Sequence, residues 1–305
     1  MNLSSMDSES LDEDGDAFSG HFQGQLSFKD ENKSGNTTTK ESTSQELQLD
    51  DNNTLLHVGP ANIAFEVVNA QVIKDPHDKY VLYSVLLASH PGMDKTPIAI
   101  DRRYSDFDRL NTQLRRRFPE QLKKVAFPKK ILVGNFKAAT VAQRSRAFEQ
   151  YLSHLFSIDK IRLSPEFAKF FYNTDLTKGY DHICNGQYDE AISLLEHVLN
   201  IEKKILGYKH RNVILTLCAL LVCHNTMERE KPAQLLAETA LHCIGDNDEH
   251  PCLIPLLNLS IHLCWKLGKQ KADLEERLKK LKEAGFDTNN APSLLELVVR
   301  RFQLK

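Results

Sequence analysis

The fold class that the sequence predicts is a small α+β module of three strands and then three helices, followed by an all-helical half. Three observations predict it. Residues 62–104 are β-branched and aromatic in short runs broken by turn clusters. Residues 105–172 switch to helical apolar spacing. From Lys178 onward only helical patterns occur. Ahead of all this, residues 1–53 are Ser, Thr, Asn, Asp, Glu and Gly with few apolar positions, a composition that cannot bury enough surface to offset chain entropy. They read as a disordered acidic arm. Within it, Phe18, Phe22, Leu26 and Phe28 fit either a short partner-binding helix or scattered residues in coil.

The elements follow in order. NIAFEVVNAQVIKD (62–75) and KYVLYSVLLAS (79–89) flank the turn cluster Asp75-Pro76-His77-Asp78 and read as a hairpin. A third strand, TPIAIDRRY (96–104), follows Pro91-Gly92. SDFDRLNTQLRRRF (105–118) carries Phe107, Leu110, Leu114 and Phe118 at helical spacing, with Ser105 or Asp106 the expected N-cap. A proline-marked loop (118–136) leads to a second helix over 140–157 and a short third near 164–172. In the helical half, GQYDEAISLLEHVLNIEKKI (186–205) places Tyr188, Ala191, Leu194, Leu195, Val198 and Ile201 on one stripe. The run VILTLCALLVC (213–223), at 11 residues, is shorter than the ~20 that a membrane span needs and reads as a buried helix. REKPAQLLAETALHCI (229–244) and CLIPLLNLSIHLCWKLG (252–268) continue the helix-and-linker pattern, with Trp265 expected in the core.

The net charge of −2 hides a gradient. Residues 1–50 sum to −8, residues 54–175 to +7 and residues 176–305 to zero. Between Arg102 and Arg146 there are thirteen Lys/Arg against three Asp/Glu. Nucleic acid and anionic membrane both suit such an excess, but neither a recognition helix nor a stacking face of aromatics is evident, which disfavours RNA. PKKILVGNF (128–136) sets Lys129 and Lys130 beside Ile131, Leu132, Val133 and Phe136. Lysines next to exposed apolar residues suit a lipid interface, with the apolar tip below the head groups. Those apolar residues could instead pack into the core. At the third strand's end, Arg102, Arg103 and Tyr104 stand side by side, either a solvated terminus or an anion site.

RRYSDF (102–107), FPKKILVG (127–134) and RSRAFEQYL (144–152) together, in that order and spacing, resemble the phox-homology (PX) domain of sorting nexins over about residues 55–177. The phrase NGQYDEAISLLEHVL resembles the centre of a tetratricopeptide repeat, with Gly186, Tyr188 and Ala191 in place, while later units match poorly. The resemblance implies three parts: the arm (1–53), a PX phosphoinositide-binding domain (55–177) and a helical tetratricopeptide-like PX-associated domain (178–305). It implies that Arg103 grips the 3-phosphate, that Tyr104 floors the inositol ring and that Ser105 lines the site. Lys130 would face the 1-phosphate and Arg144 the far ring hydroxyls, with Arg146, two residues on, the alternative match to that arginine. Only Pro128 precedes the lysines, where many members carry a fuller proline-rich loop.

The implied function is a peripheral adaptor on the cytoplasmic face of early endosomes and vesicles, with a protein partner on the helical half. The alternative is a scaffold with weak phosphoinositide binding, localised by that partner. No cofactor or catalytic residue is expected, because no GxSxG, HExxH, P-loop or kinase signature occurs. All six cysteines follow residue 183 and read as reduced core thiols, since Met1 is followed by polar residues with no secretory leader. Cys223-His224, His242-Cys243, His250-Pro-Cys252 and His262-Leu-Cys264 sit on or beside apolar helices without any CxxC, so no metal site is expected.

Overall fold

The computed structural model describes residues 63–76, 78–89, 96–131 and 133–303. The acidic arm, its Phe18–Phe28 segment and Leu132 lie outside the described residues. Three antiparallel strands, β1 (Ile63–Asp75), β2 (Asp78–Ser89) and β3 (Ile98–Arg103), form one sheet in the order β1-β2-β3. Alternation on the pleat sends Val81, Tyr83, Val85 and Leu87 to the core, opposite Ile98 and Ile100 of β3. The β1–β2 register slips between Val67 and Asn69. There the Val67 amide donates to Glu149 Oε1 at 2.8 Å, which ties the bulge to the helix behind it.

Helix α1 (Tyr104–Arg117) follows β3 without a linker and buries Phe107, Leu110 and Leu114. Its N-cap is Arg103, and neither Ser105 nor Asp106 takes that place. The strand holds Arg103 extended up to the first helical turn, and Asp106, three residues on, accepts the Arg103 amide at 2.9 Å. Two single-turn helices, α2 (Pro119–Leu122) and α4 (Asp159–Arg162), went unforeseen because four residues carry no periodicity. Between them runs α3 (Ala138–Phe156). Then α5 (Pro165–Phe171) starts on Ser164, whose hydroxyl accepts the Phe167 amide. An aromatic core joins these layers: Phe107 stacks on Phe148 with centroids 3.7 Å apart, and Tyr83 meets Phe148 edge-on at 5.1 Å.

Seven helices complete the described chain: α6 (Asn173–Cys184), α7 (Tyr188–Leu206), α8 (Arg211–Thr226), α9 (Glu230–Ile244), α10 (Leu253–Leu267), α11 (Ala272–Glu283) and α12 (Leu294–Gln303). From α6 to α11 each packs on the next, and α12 returns against α6, α8 and α10. The expected 177/178 boundary falls inside α6. One continuous apolar core runs from the sheet into the helices. Lys204 of α7 also reaches Ser89 of β2 at 3.4 Å.

Two expectations fail here. Trp265 is 69% exposed on α10, with His262 stacked beside it at 6.0 Å. The α10 positions that are buried are Leu253, Pro255, Leu256, Leu257, Ser260, Leu263 and Cys264, and Trp265 lies off that face. Cys184 is exposed at the end of α6, whereas the other five thiols are buried. Among the described residues no group of three or more His, Cys, Asp or Glu is placed to hold a metal ion, and no helix is long and apolar enough to cross a membrane.

Candidate lipid-binding site

The two neighbouring arginines do different things because β3 alternates faces. Arg102 turns inward and donates from Nε to the Phe170 carbonyl at 2.7 Å and from Nη2 to the Phe171 carbonyl at 3.1 Å. It thereby satisfies carbonyls at the end of α5 that have no partner within the helix. This is a structural arginine. The Arg103 guanidinium lies over the Tyr80 ring, 3.4 Å from its centroid, with Asp78 Oδ2 3.7 Å from Nη1. It is 42% exposed. Ser105, one residue into α1, is exposed.

Tyr104 is half-buried and belongs to a second cluster. Its hydroxyl donates to the Pro128 carbonyl at 2.8 Å, and its ring lies against Phe127 and Phe148. The Arg144 guanidinium covers it, 4.3 Å from the centroid. Burial raises the Tyr104 phenol's pKa, Asp108 adds to this, and Arg144 opposes it. Arg144 itself is only 5% exposed. From Nη2 it donates to Asn135 Oδ1 at 2.9 Å and to the Lys129 carbonyl at 3.5 Å. Asn135 in turn donates to the Ile131 carbonyl at 2.7 Å, closing a turn in which Gly134 sits at φ +81°, a region that disfavours other residues. Farther back, Arg115 donates to the Leu122 and Val125 carbonyls and braces the start of the loop.

The lysine loop is thus held along its length, with Lys129 and Lys130 on its exposed side. Of the four apolar residues expected to meet lipid, Val133 is 86% exposed, Phe136 is 38% exposed, Ile131 is half-buried and Leu132 is not described. The Lys79 ammonium stands 4.5 Å above the Phe136 ring. Loop and α3 together wall a groove of about 680 Å³, lined by Lys124, Phe127, Ile131, Arg144, Tyr151 and His154 among others. Arg103 and Tyr104 are not part of its lining.

The structure therefore joins Tyr104, Arg144 and the lysine loop through bonds and ring contacts, while Arg103 is held by the hairpin. Sequence reasoning missed Tyr80, Asp78, Asn135 and Arg115. Tyr80 looked like any strand aromatic, though its place two residues before Leu82, the β2 partner of Arg103, puts it on the same face. Asn135 looked like turn chemistry beside Gly134, and nothing local revealed that its amide serves a helix nine residues on.

An antiparallel three-stranded sheet with an arginine–tyrosine corner and a lysine loop on one side, continuing into stacked helices, defines a PX module joined to a tetratricopeptide-like domain. The PX domain family matches residues 90–174, and the tetratricopeptide repeat family matches residues 171–242. Sorting nexin-21 of Mus musculus is 39% identical over 243 residues, covering 79% of this chain and 67% of that protein. Sorting nexin-20 of Rattus norvegicus is 32% identical over 273 residues, covering 90% of this chain and 87% of that protein. Among solved structures, a designed CISK-PX domain matches 35% of this chain and 95% of its own at 22% identity and a TM-score of 0.30. The chain belongs to the sorting nexin family.

Proposed function

We propose that this sorting nexin is a non-catalytic peripheral membrane adaptor whose PX module binds a phosphoinositide and whose helical half holds a protein partner. The observation that carries the reading is Arg103. It stands half-exposed at a strand end, its guanidinium carbon over a ring, in a module with a large basic excess. A fork so placed suits two charge-assisted bonds to one phosphate. In this reading Tyr104 and Ser105 line the site, and Lys130 supplies charge toward the lipid surface. Arg144 orders the Tyr104 ring and reaches the inositol hydroxyls when the loop above it yields. Val133 enters the lipid first, followed by Ile131, Leu132 and Phe136. The place of work is the cytoplasmic face of early endosomes and cytoplasmic vesicles, with a cytosolic pool.

A second reading, a scaffold with weak phosphoinositide affinity, is favoured by one observation. Arg144 is almost wholly buried and already hydrogen-bonded within the chain, so a head group must compete with Asn135 for it. Flotation of the full chain with vesicles carrying phosphatidylinositol 3-phosphate, 4,5-bisphosphate or neither separates the two. Phosphoinositide-dependent recovery at low lipid fraction supports the adaptor. Equal recovery on all vesicles supports the scaffold.

A further inference from the structure

We infer that Tyr80 is a positioning residue for Arg103: it holds the guanidinium plane so that its N–H edge faces an incoming phosphate. The inference rests on the proposed phosphate role of Arg103. A ring under the flat face of a guanidinium attracts it through the ring quadrupole and consumes none of its five donors. With its guanidinium carbon 3.4 Å from the centroid, the Arg103 fork rests directly on the ring and is held before any ligand arrives. An unbraced arginine at a strand end would lose more rotamer freedom on gripping an anion. The other neighbour, Asp78, is a poor rival for the fork. It stands beyond hydrogen-bond range at 3.7 Å, and its side chain is 63% exposed, so solvent screens the pair and a doubly charged phosphate can displace it.

The ladder shows why this residue is available. Arg103 pairs with Leu82, and Tyr80 lies two residues earlier on the same strand and therefore on the same face. One residue before it, Lys79 stands over Phe136 of the loop. The end of the hairpin thus touches both the phosphate arginine and the apolar loop. Tyr80 also lies outside residues 90–174, the part that matches the PX family, so no motif marks it.

The test uses the full chain on phosphatidylcholine–phosphatidylserine vesicles with and without phosphatidylinositol 3-phosphate. Tyr80→Leu should weaken phosphoinositide-dependent binding roughly two- to fivefold, the scale of an exposed cation–ring contact. Binding to vesicles lacking phosphoinositide should not change. Tyr80→Phe, which keeps the ring, should bind like the parent. In an Arg103→Ala background, Tyr80→Leu should have no further effect. Tyr80→Gln serves as a second ring-less variant if the leucine variant melts early. Parent-like binding by folded Tyr80→Leu or Tyr80→Gln, with Arg103→Ala impaired, overturns the positioning role alone. So does equal weakening by Tyr80→Leu in both backgrounds. Parent-like binding by Arg103→Ala overturns the phosphate site itself.

Discussion

Arg144 and Asn135 show how one side chain can set a whole loop. A guanidinium that is 5% exposed needs acceptors, and the loop supplies them through Asn135 and the Lys129 carbonyl. Asn135→Ala should therefore cost about 1–3 kcal/mol, the penalty for a buried donor left unmatched. Urea denaturation of variant and parent measures it, and an unchanged midpoint would show that water replaces the amide freely. Lys130 stands at the other extreme, exposed beside Lys129, which is also exposed. Lys130→Ala should weaken vesicle binding by only about 1 kcal/mol, the worth of one basic residue near an anionic surface. A loss as large as that of Arg103→Ala would make Lys130 a specific ligand rather than part of a field.

At the scale of elements, the helical half depends on close approach between neighbours. A Cβ built on Gly179 of α6 would meet Leu195 Cδ2 of α7 at 2.8 Å. Gly179→Ala should destabilise by roughly 1–3 kcal/mol through overpacking, read as a lower thermal midpoint. Helix α8, which packs on α7, carries a pH dependence. Burial chiefly lowers the pKa of His224, Arg229 lowers it further and Asp189 opposes, while burial and then Arg211 and Arg162 lower that of His210. A histidine whose folded pKa is depressed binds protons more readily when unfolded. Its contribution to stability is therefore present above the unfolded value near ~6.5 and is lost as pH falls below it. Thermal midpoints should drop between neutral pH and about pH 5, and His224→Leu should flatten that slope. An unchanged slope would assign the acid sensitivity elsewhere.

The elements also show what a sequence can and cannot reveal. The hairpin, β3, α1, α3 and α7 were legible because alternation in Val81–Leu87 and the stripe Ala191–Ile201 record burial directly. The exposure of Trp265 was not, because an aromatic within an apolar helix suggests burial, and only the direction of the inward stripe decides. Of the proposed site, Arg103, Tyr104 and Ser105 stand out in the sequence as a motif at a strand end. Tyr80 and Asn135 do not, because their roles depend on partners that strand pairing and loop closure bring near.

For the whole molecule, the continuous core from sheet to helices governs how the chain divides. Leu176 of α6 is buried, and a cut at 177/178 removes it together with the first turn of its helix. A fragment beginning at Lys178 should thus melt below one beginning at Asn173, as circular dichroism would record, and equal midpoints would mean that this turn adds nothing. The proposed division of labour puts membrane binding in the basic module, since residues 176–305 carry no net charge. Its proposed centre is Arg103, and the most direct measurement is vesicle co-sedimentation of full-length Arg103→Ala beside the parent. The side chain is 42% exposed, so the variant should stay folded within about 1 kcal/mol. Loss of a charge-assisted fork worth roughly 1.5–3 kcal/mol should cut phosphoinositide-dependent binding about ten- to a hundredfold. Arg103→Lys should recover only part of it. A folded Arg103→Ala protein that bound phosphatidylinositol 3-phosphate vesicles like the parent would contradict the account.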